Sequence, residues 1–276
     1  MRWRDYGQSS NIEDRRGMGG RGLAIGGGGI GVLILLVAAL VCGVDPRQLL
    51  ENLPQDTTTQ QPGVASNSTN KTPDENRQFV GAVMKTTEDI WGEILPQQAR
   101  IRYRQPSLVL YDGQTPSACG YGEAAMGPFY CPGDQKLYLD FAFFRELQQE
   151  FKAPGDFARA YVIAHEVGHH VQNMLGTMER VQRSGQSNRG SVALELQADC
   201  YAGVWAHYAQ QKGLVETGDA EEAIRAAQSV GDDTIQRRTQ GVVMPDSFTH
   251  GSSQQRMQWF GRGMQSGDIR QCDTFR

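Results

Sequence analysis

At 276 residues the chain is long enough for one well-buried domain with accessory segments, and 39% hydrophobic with 21% charged residues is ordinary globular material. A formal net charge of −4 supplies no basic face, so no nucleic acid is expected as a partner.

In chain order, residues 1–22 come first and carry Arg2, Arg4, Arg15, Arg16 and Arg21. Leu23–Val44 follows, 22 residues without a charge. At 1.5 Å per residue this stretch matches the ~30 Å hydrocarbon core of a bilayer, so residues 23–44 are read as a single transmembrane helix in contact with lipid. A cleaved signal peptide fits less well, because its apolar core usually runs ~7–15 residues and ends in a small-x-small site. The arginines before the span, against Asp45, Arg47 and Glu51 after it, predict a cytoplasmic tail over 1–22 and a main domain outside the cytoplasm. Gly27-x-x-x-Gly31 is a helix-pairing pattern, which makes a homo-oligomer one expectation. Residues 45–74 are polar and poor in aromatics and read as a flexible linker. The folded domain is expected over 75–276.

Within that domain, Phe79, Val80, Val83, Met84, Thr87, Ile90, Trp91, Ile94 and Leu95 recur at three- and four-residue intervals. They predict an amphipathic helix stopped by Pro96. Short strands are predicted at Leu108–Tyr111 and Lys136–Asp140, either side of a Gly/Pro-rich loop. Helices are predicted over Asp156–Gly176, Ser191–Lys212, Asp219–Gln240 and Ser252–Gln265. The outline is a helix-rich α+β domain with a small sheet. Outside the span the cysteines are Cys119, Cys131, Cys200 and Cys272. In an oxidising compartment they suggest two disulfides, with three connectivities open. Cys119–Cys131, closing a short loop, with Cys200–Cys272 is the expected pairing.

The chemistry concentrates in His165-Glu166-Val167-Gly168-His169. On a helix, positions i and i+4 share a face, so two imidazoles reach one metal ion while Glu166 stands beside them as a general base. Zinc in such a site lowers the pKa of its water toward ~7 and polarises the scissile carbonyl. A catalytic zinc usually takes a third protein ligand, and the next helix offers Glu195 and Asp199, four apart on one face. Glu195 is assigned to the metal. Asp199 is assigned to the far nitrogen of a ligating histidine, fixing its tautomer. The reverse assignment stays open. His250, in a loop before a helix, is a candidate to stabilise the developing oxyanion, with a structural role equally open. His170 points about 100° away from His169 along a helix and is expected to pack or hydrogen-bond. His207 is read as structural.

The pattern His165-Glu166-x-x-His169 with Glu195-x-x-x-Asp199 resembles the gluzincin arrangement of thermolysin-like and membrane-anchored peptidases. More closely, several segments resemble the bacterial putative neutral zinc metallopeptidase family. They are Gly127-Pro-Phe-Tyr-Cys131-Pro, Tyr138-Leu-Asp140, Asp156 through His170, Glu195 through Gly203, and Phe248-Thr-His-Gly-Ser252. The resemblance runs from about Gln78 to the C-terminus. It implies a zincin-like fold holding one Zn2+, a peptide or protein substrate, and an N-terminal anchor. It also implies that the strand near Tyr138–Asp140 is an edge strand that pairs with substrate backbone. With the span, it predicts a single-pass protein of the bacterial inner membrane, its N-terminus cytoplasmic and its peptidase domain periplasmic. Two other readings stay open: a zinc-containing binding or regulatory module without hydrolytic activity, and a zinc amidase acting on cell-wall peptides.

Overall fold

The computed structural model describes residues 1–17, 74–185 and 187–275. The expected span 23–44, and all but the last residue of the expected linker, lie outside them. Among the described residues no helix is long and apolar enough to cross a membrane. The architecture is a helix-rich α+β fold with small sheets. Residues Met1–Arg16, expected to form a separate tail, belong to the same compact unit as the chain from Asp74 on.

The main sheet has the order β1 (Ile12–Asp14), β2 (Ser107–Tyr111), β6 (Lys136–Asp140), β5 (Phe129–Cys131). β1 and β2 run parallel, as do β2 and β6, whereas β5 is antiparallel to β6. Side chains alternate across the sheet with a period of two. Leu108, Leu110, Leu137 and Leu139 enter the main core, while Val109, Tyr111, Tyr138 and Cys131 form a smaller cluster on the other face. The strand containing Tyr138–Asp140 is therefore interior, bonded on both sides, and among the described residues β5 is the edge next to it. A hairpin of β3 (Gln114–Ser117) and β4 (Gly120–Glu123) stands apart as a second sheet.

Helix α1 (Glu75–Ala99) starts at Asp74, whose carboxylate accepts from Arg77 N–H at 3.0 Å. Its predicted apolar stripe is buried. Pro96 does not stop it. Proline keeps a helical φ, and so close to the end its missing N–H forfeits only one bond. The chain leaves the helix at Arg100, in the left-handed region at φ 59°. After α2 (Phe141–Gln149), the core is built from α3 (Asp156–Met174), α5 (Asn188–Gln211) and α8 (Ser253–Ser266), with α4 (Thr177–Arg183) between the first two. The helix predicted over Asp219–Gln240 is in fact two, α6 (Asp219–Ser229) and α7 (Asp232–Thr239). At the break a Cβ on Gly231 would lie 2.4 Å from the Ser253 nitrogen, so only glycine lets the chain pass the start of α8 this closely.

Cys119 is bonded to Cys131 and Cys200 to Cys272, the pairing expected from the sequence. The second bridge joins the middle of α5 to the C-terminal turn Ile269–Cys272 across 72 residues. Opening so long a loop releases denatured-state entropy. Cys272→Ala is expected to cost about 2–4 kcal/mol, checked by thermal melting with and without reductant. An unchanged melting point would show that the bridge adds nothing to stability.

Candidate active site

Helix α3 is buried almost all round: Phe157, Tyr161, Ala164, Val167 and Val171 are in the core, and His165 and Glu166 are buried with them. Its approach to α5 is set by Gly168. A Cβ there would meet the Ala198 carbonyl oxygen at 2.8 Å, so the two backbones touch where any side chain would hold them apart. This contact brings Glu195 and Asp199 of α5 opposite His165 and His169.

Each imidazole has a partner at Nδ1. His165 donates to Asp199 Oδ1 at 2.9 Å, and His169 to Gln172 Oε1 at 2.9 Å. The Gln172 amide is oriented in turn by donating to the Leu194 carbonyl at 2.7 Å and to Gln197 Oε1 at 3.2 Å. Fixing Nδ1 as donor leaves both Nε2 lone pairs facing Glu195. His165 Nε2 lies 3.2 Å from Glu195 Oε2, and His169 Nε2 lies 3.4 Å from Oε1. Ligands ~2.0–2.1 Å from a tetrahedral zinc stand ~3.3 Å apart, so the spacing and chemistry of these donors fit that ion. All three donor atoms lie within 4.8 Å of one another, a group able to hold a metal.

The electrostatics favour a cation at this point. Burial lowers the His165 imidazole, but the carboxylates of Asp199 and Glu195 outweigh it and raise it to about 10. Burial opposes ionisation of Glu195 as well, yet His169 and His165 hold it well below the usual carboxylate range. Glu166 goes the other way: burial raises it, against the pull of the two histidines.

Beneath the histidines lies an ion pair that the sequence did not signal. Arg256 of α8 reaches both oxygens of Asp199, Nε to Oδ2 at 2.8 Å and Nη2 to Oδ1 at 3.0 Å. Tyr161 also donates to Asp199 Oδ1. Asp199 is fully buried and Arg256 nearly so. Burial opposes the Asp199 charge, and Arg256 and then His165 overcome it, so the carboxyl sits below its ordinary value.

His250 faces the same cavity, about 910 Å3 in volume, as His165, Glu166, His169 and Glu195. Its apolar wall includes Val162, Phe143, Phe151, Met178 and Leu194, and the edge strand contributes Phe129 and Tyr130. His250 Nδ1 is 3.0 Å from Asp232 Oδ1, and this hydrogen bond is the main cause of its raised pKa. The other Asp232 oxygen accepts the backbone N–H groups of Thr249, His250 and Gly251 at 2.7, 2.6 and 3.0 Å. Asp232 thus fixes both the loop and the ring. His170 points away, as expected. It donates from Nε2 to the Arg104 carbonyl at 2.6 Å and accepts at Nδ1 from the Tyr130 hydroxyl at 3.0 Å, tying α3 to the edge strand. His207 donates to the Met264 carbonyl at 2.8 Å and is structural.

The family model described as "Putative neutral zinc metallopeptidase" matches residues 1–275. The chain belongs to this family. It is 48% identical over 289 aligned residues to "Uncharacterized protein YpfJ" of Escherichia coli K12, covering 100% of this chain and 99% of that protein. It is 43% identical over 253 residues to "Uncharacterized protein Rv2575" of Mycobacterium tuberculosis H37Rv, covering 86% of this chain and 85% of the relative. No solved structure matches. Membership implies zinc, and the His165, His169 and Glu195 group is where this family member has donors for it.

Removing one member of a buried ion pair strands the other charge. Arg256→Leu is expected to destabilise the fold by about 3–5 kcal/mol, and adding Asp199→Asn to recover part of that loss. Urea unfolding of the two single variants and the double measures the coupling. Strict additivity would show that the pair is not a unit.

Proposed function

We propose that the chain is a zinc-dependent peptidase in which His165, His169 and Glu195 hold the metal, Glu166 is the general base and Asp199 orients His165. The observation that carries this reading is the convergence of three donors within 4.8 Å of one another, Glu195 standing 3.2 and 3.4 Å from the two imidazoles, beside a buried carboxylate in an open cavity. Zinc held there supplies a Lewis acid that polarises the scissile carbonyl and makes a water acidic near neutral pH. Glu166, its proton affinity raised by burial, accepts the proton from the attacking water and delivers it to the leaving amine nitrogen. His250, its pKa raised by the hydrogen bond to Asp232, donates to the carbonyl oxygen as negative charge builds there. β5 is an edge strand of the main sheet among the described residues, and an extended peptide adds beside it along the cavity wall.

A structural zinc site usually has four protein ligands. Among the described residues only three donors gather here. The two candidates for a fourth are otherwise engaged, Cys200 in a disulfide and His207 with the Met264 carbonyl. That favours a peptidase over a metal-stabilised binding module. The two disulfides support an oxidising, extracytoplasmic compartment, and the apolar stretch 23–44 supports attachment to the bacterial inner membrane.

Glu166→Gln is expected to retain zinc while hydrolysis of an unfolded protein substrate falls by roughly 10²–10⁴-fold. Zinc analysis and turnover on the same sample test this, with cell-wall peptides assayed in parallel. Normal turnover by the zinc-loaded variant would remove Glu166 from the mechanism, and hydrolysis confined to wall peptides would favour the amidase reading.

The pH profile tests His250. A raised imidazole pKa keeps the charged donor present to higher pH and loses it as pH rises through that pKa. Asp232→Asn removes the main cause of the rise, so the alkaline limb of kcat/KM should move to lower pH with the acid limb unchanged. An unmoved alkaline limb would assign that limb to another group.

A further inference from the structure

Residues 1–17 and the peptidase unit are joined by contacts of the kind found inside a domain. β1 lies parallel to β2 with Ile12 opposite Leu108, Glu13 opposite Val109 and Asp14 opposite Leu110. Leu108 N–H donates to the Asn11 carbonyl at 2.8 Å, and Arg15 N–H to the Leu110 carbonyl at 2.8 Å. Trp3 is 2% exposed, packs edge-on against Phe79 at 5.4 Å and donates to Asp156 Oδ2 at 2.7 Å. Asp156 is the first residue of α3, the helix that carries His165, Glu166 and His169. Gly81 of α1 receives the segment: its carbonyl accepts from Ser9 N–H at 3.0 Å, and a Cβ there would collide with the Gln8 side chain.

The point where this segment leaves the unit is also the point where the chain returns. Arg16 Nη1 is 2.6 Å from Asp74 Oδ2, so residues 17–73 begin and end at one ion pair. A segment with both ends on one body crosses a bilayer an even number of times or not at all. The one apolar stretch in it, 23–44, has 22 residues, enough for a single ~30 Å helical crossing and too few for two. We infer that residues 1–17 and the peptidase unit lie on the same side of the membrane. This revises the topology expected from the arginine-rich flank. Three of those arginines are engaged within the fold: Arg4 pairs with Glu75, Arg15 with Glu13, and Arg16 with Asp14 and Asp74. Their charge answers partners in the same unit, so their asymmetry about 23–44 is not free to report orientation.

The test uses the full-length chain in bacterial cells. With Cys42→Ser as background, Arg4→Cys or Arg183→Cys supplies one thiol at a side chain that is 67% or 74% exposed. A membrane-impermeant maleimide is applied to intact spheroplasts and to everted vesicles. Labelling of both positions in the same preparation is expected, whichever preparation that is. Labelling of Arg4→Cys in one and Arg183→Cys in the other would overturn the inference. A second measurement is independent of labelling. Trp3→Ala is expected to lower the melting temperature of the detergent-solubilised full chain by roughly 10 °C, or to prevent folding. An unchanged melting temperature would show that Trp3 is not docked, and would restore the single crossing.

Discussion

The buried carboxylate of Asp199 is the point on which the rest of the structure depends. It cannot stay ionised in the core without compensation. That compensation comes from three directions: Arg256 on α8, and Tyr161 and His165 on α3. One charge therefore holds three helices in register. The same hydrogen bond that satisfies Asp199 decides which nitrogen of His165 is left to face Glu195. Stability and the proposed chemistry share an atom here, so substitutions around Asp199 are expected to act on both.

Packing makes that arrangement possible. α3 and α5 must come to backbone contact before Glu195 can stand 3.2–3.4 Å from two imidazoles, and Gly168 provides the room. On the other side of α5, the disulfide to Cys272 holds the C-terminal turn against the core. His170 and Tyr130 fasten the edge strand to the other face of α3, so the cavity wall and the two imidazoles of His165 and His169 are positioned by one helix. The break between α6 and α7 serves the remaining corner, because it sets Asp232 under the His250 loop.

What could be read in the sequence follows from how local each signal is. That His165 and His169 come together was legible because a helical period of four puts two donors on one face. That Glu195 and Asp199 share a face toward them was legible for the same reason, one helix later. Both disulfides followed from cysteine count and loop length. Arg256 was not legible: Ser-Gln-Gln-Arg-Met-Gln-Trp reads as a solvent-facing helix, and only the tertiary approach of α8 to α5 buries that guanidinium. Asp232 was hidden inside what looked like one continuous helix, since a lone glycine gives no warning of a close approach from a distant segment. The N-terminal strand was missed for a related reason. Parallel pairing across about ninety residues leaves no local periodicity, and its arginines resembled the flank of a membrane span.

The most direct measurement is the zinc content of the full-length chain beside that of Glu195→Ala. About one zinc per wild-type chain is expected, largely lost in Glu195→Ala while the variant keeps its folded circular-dichroism spectrum. Full retention of zinc without Glu195, or no zinc in the wild type after reconstitution, would contradict the account.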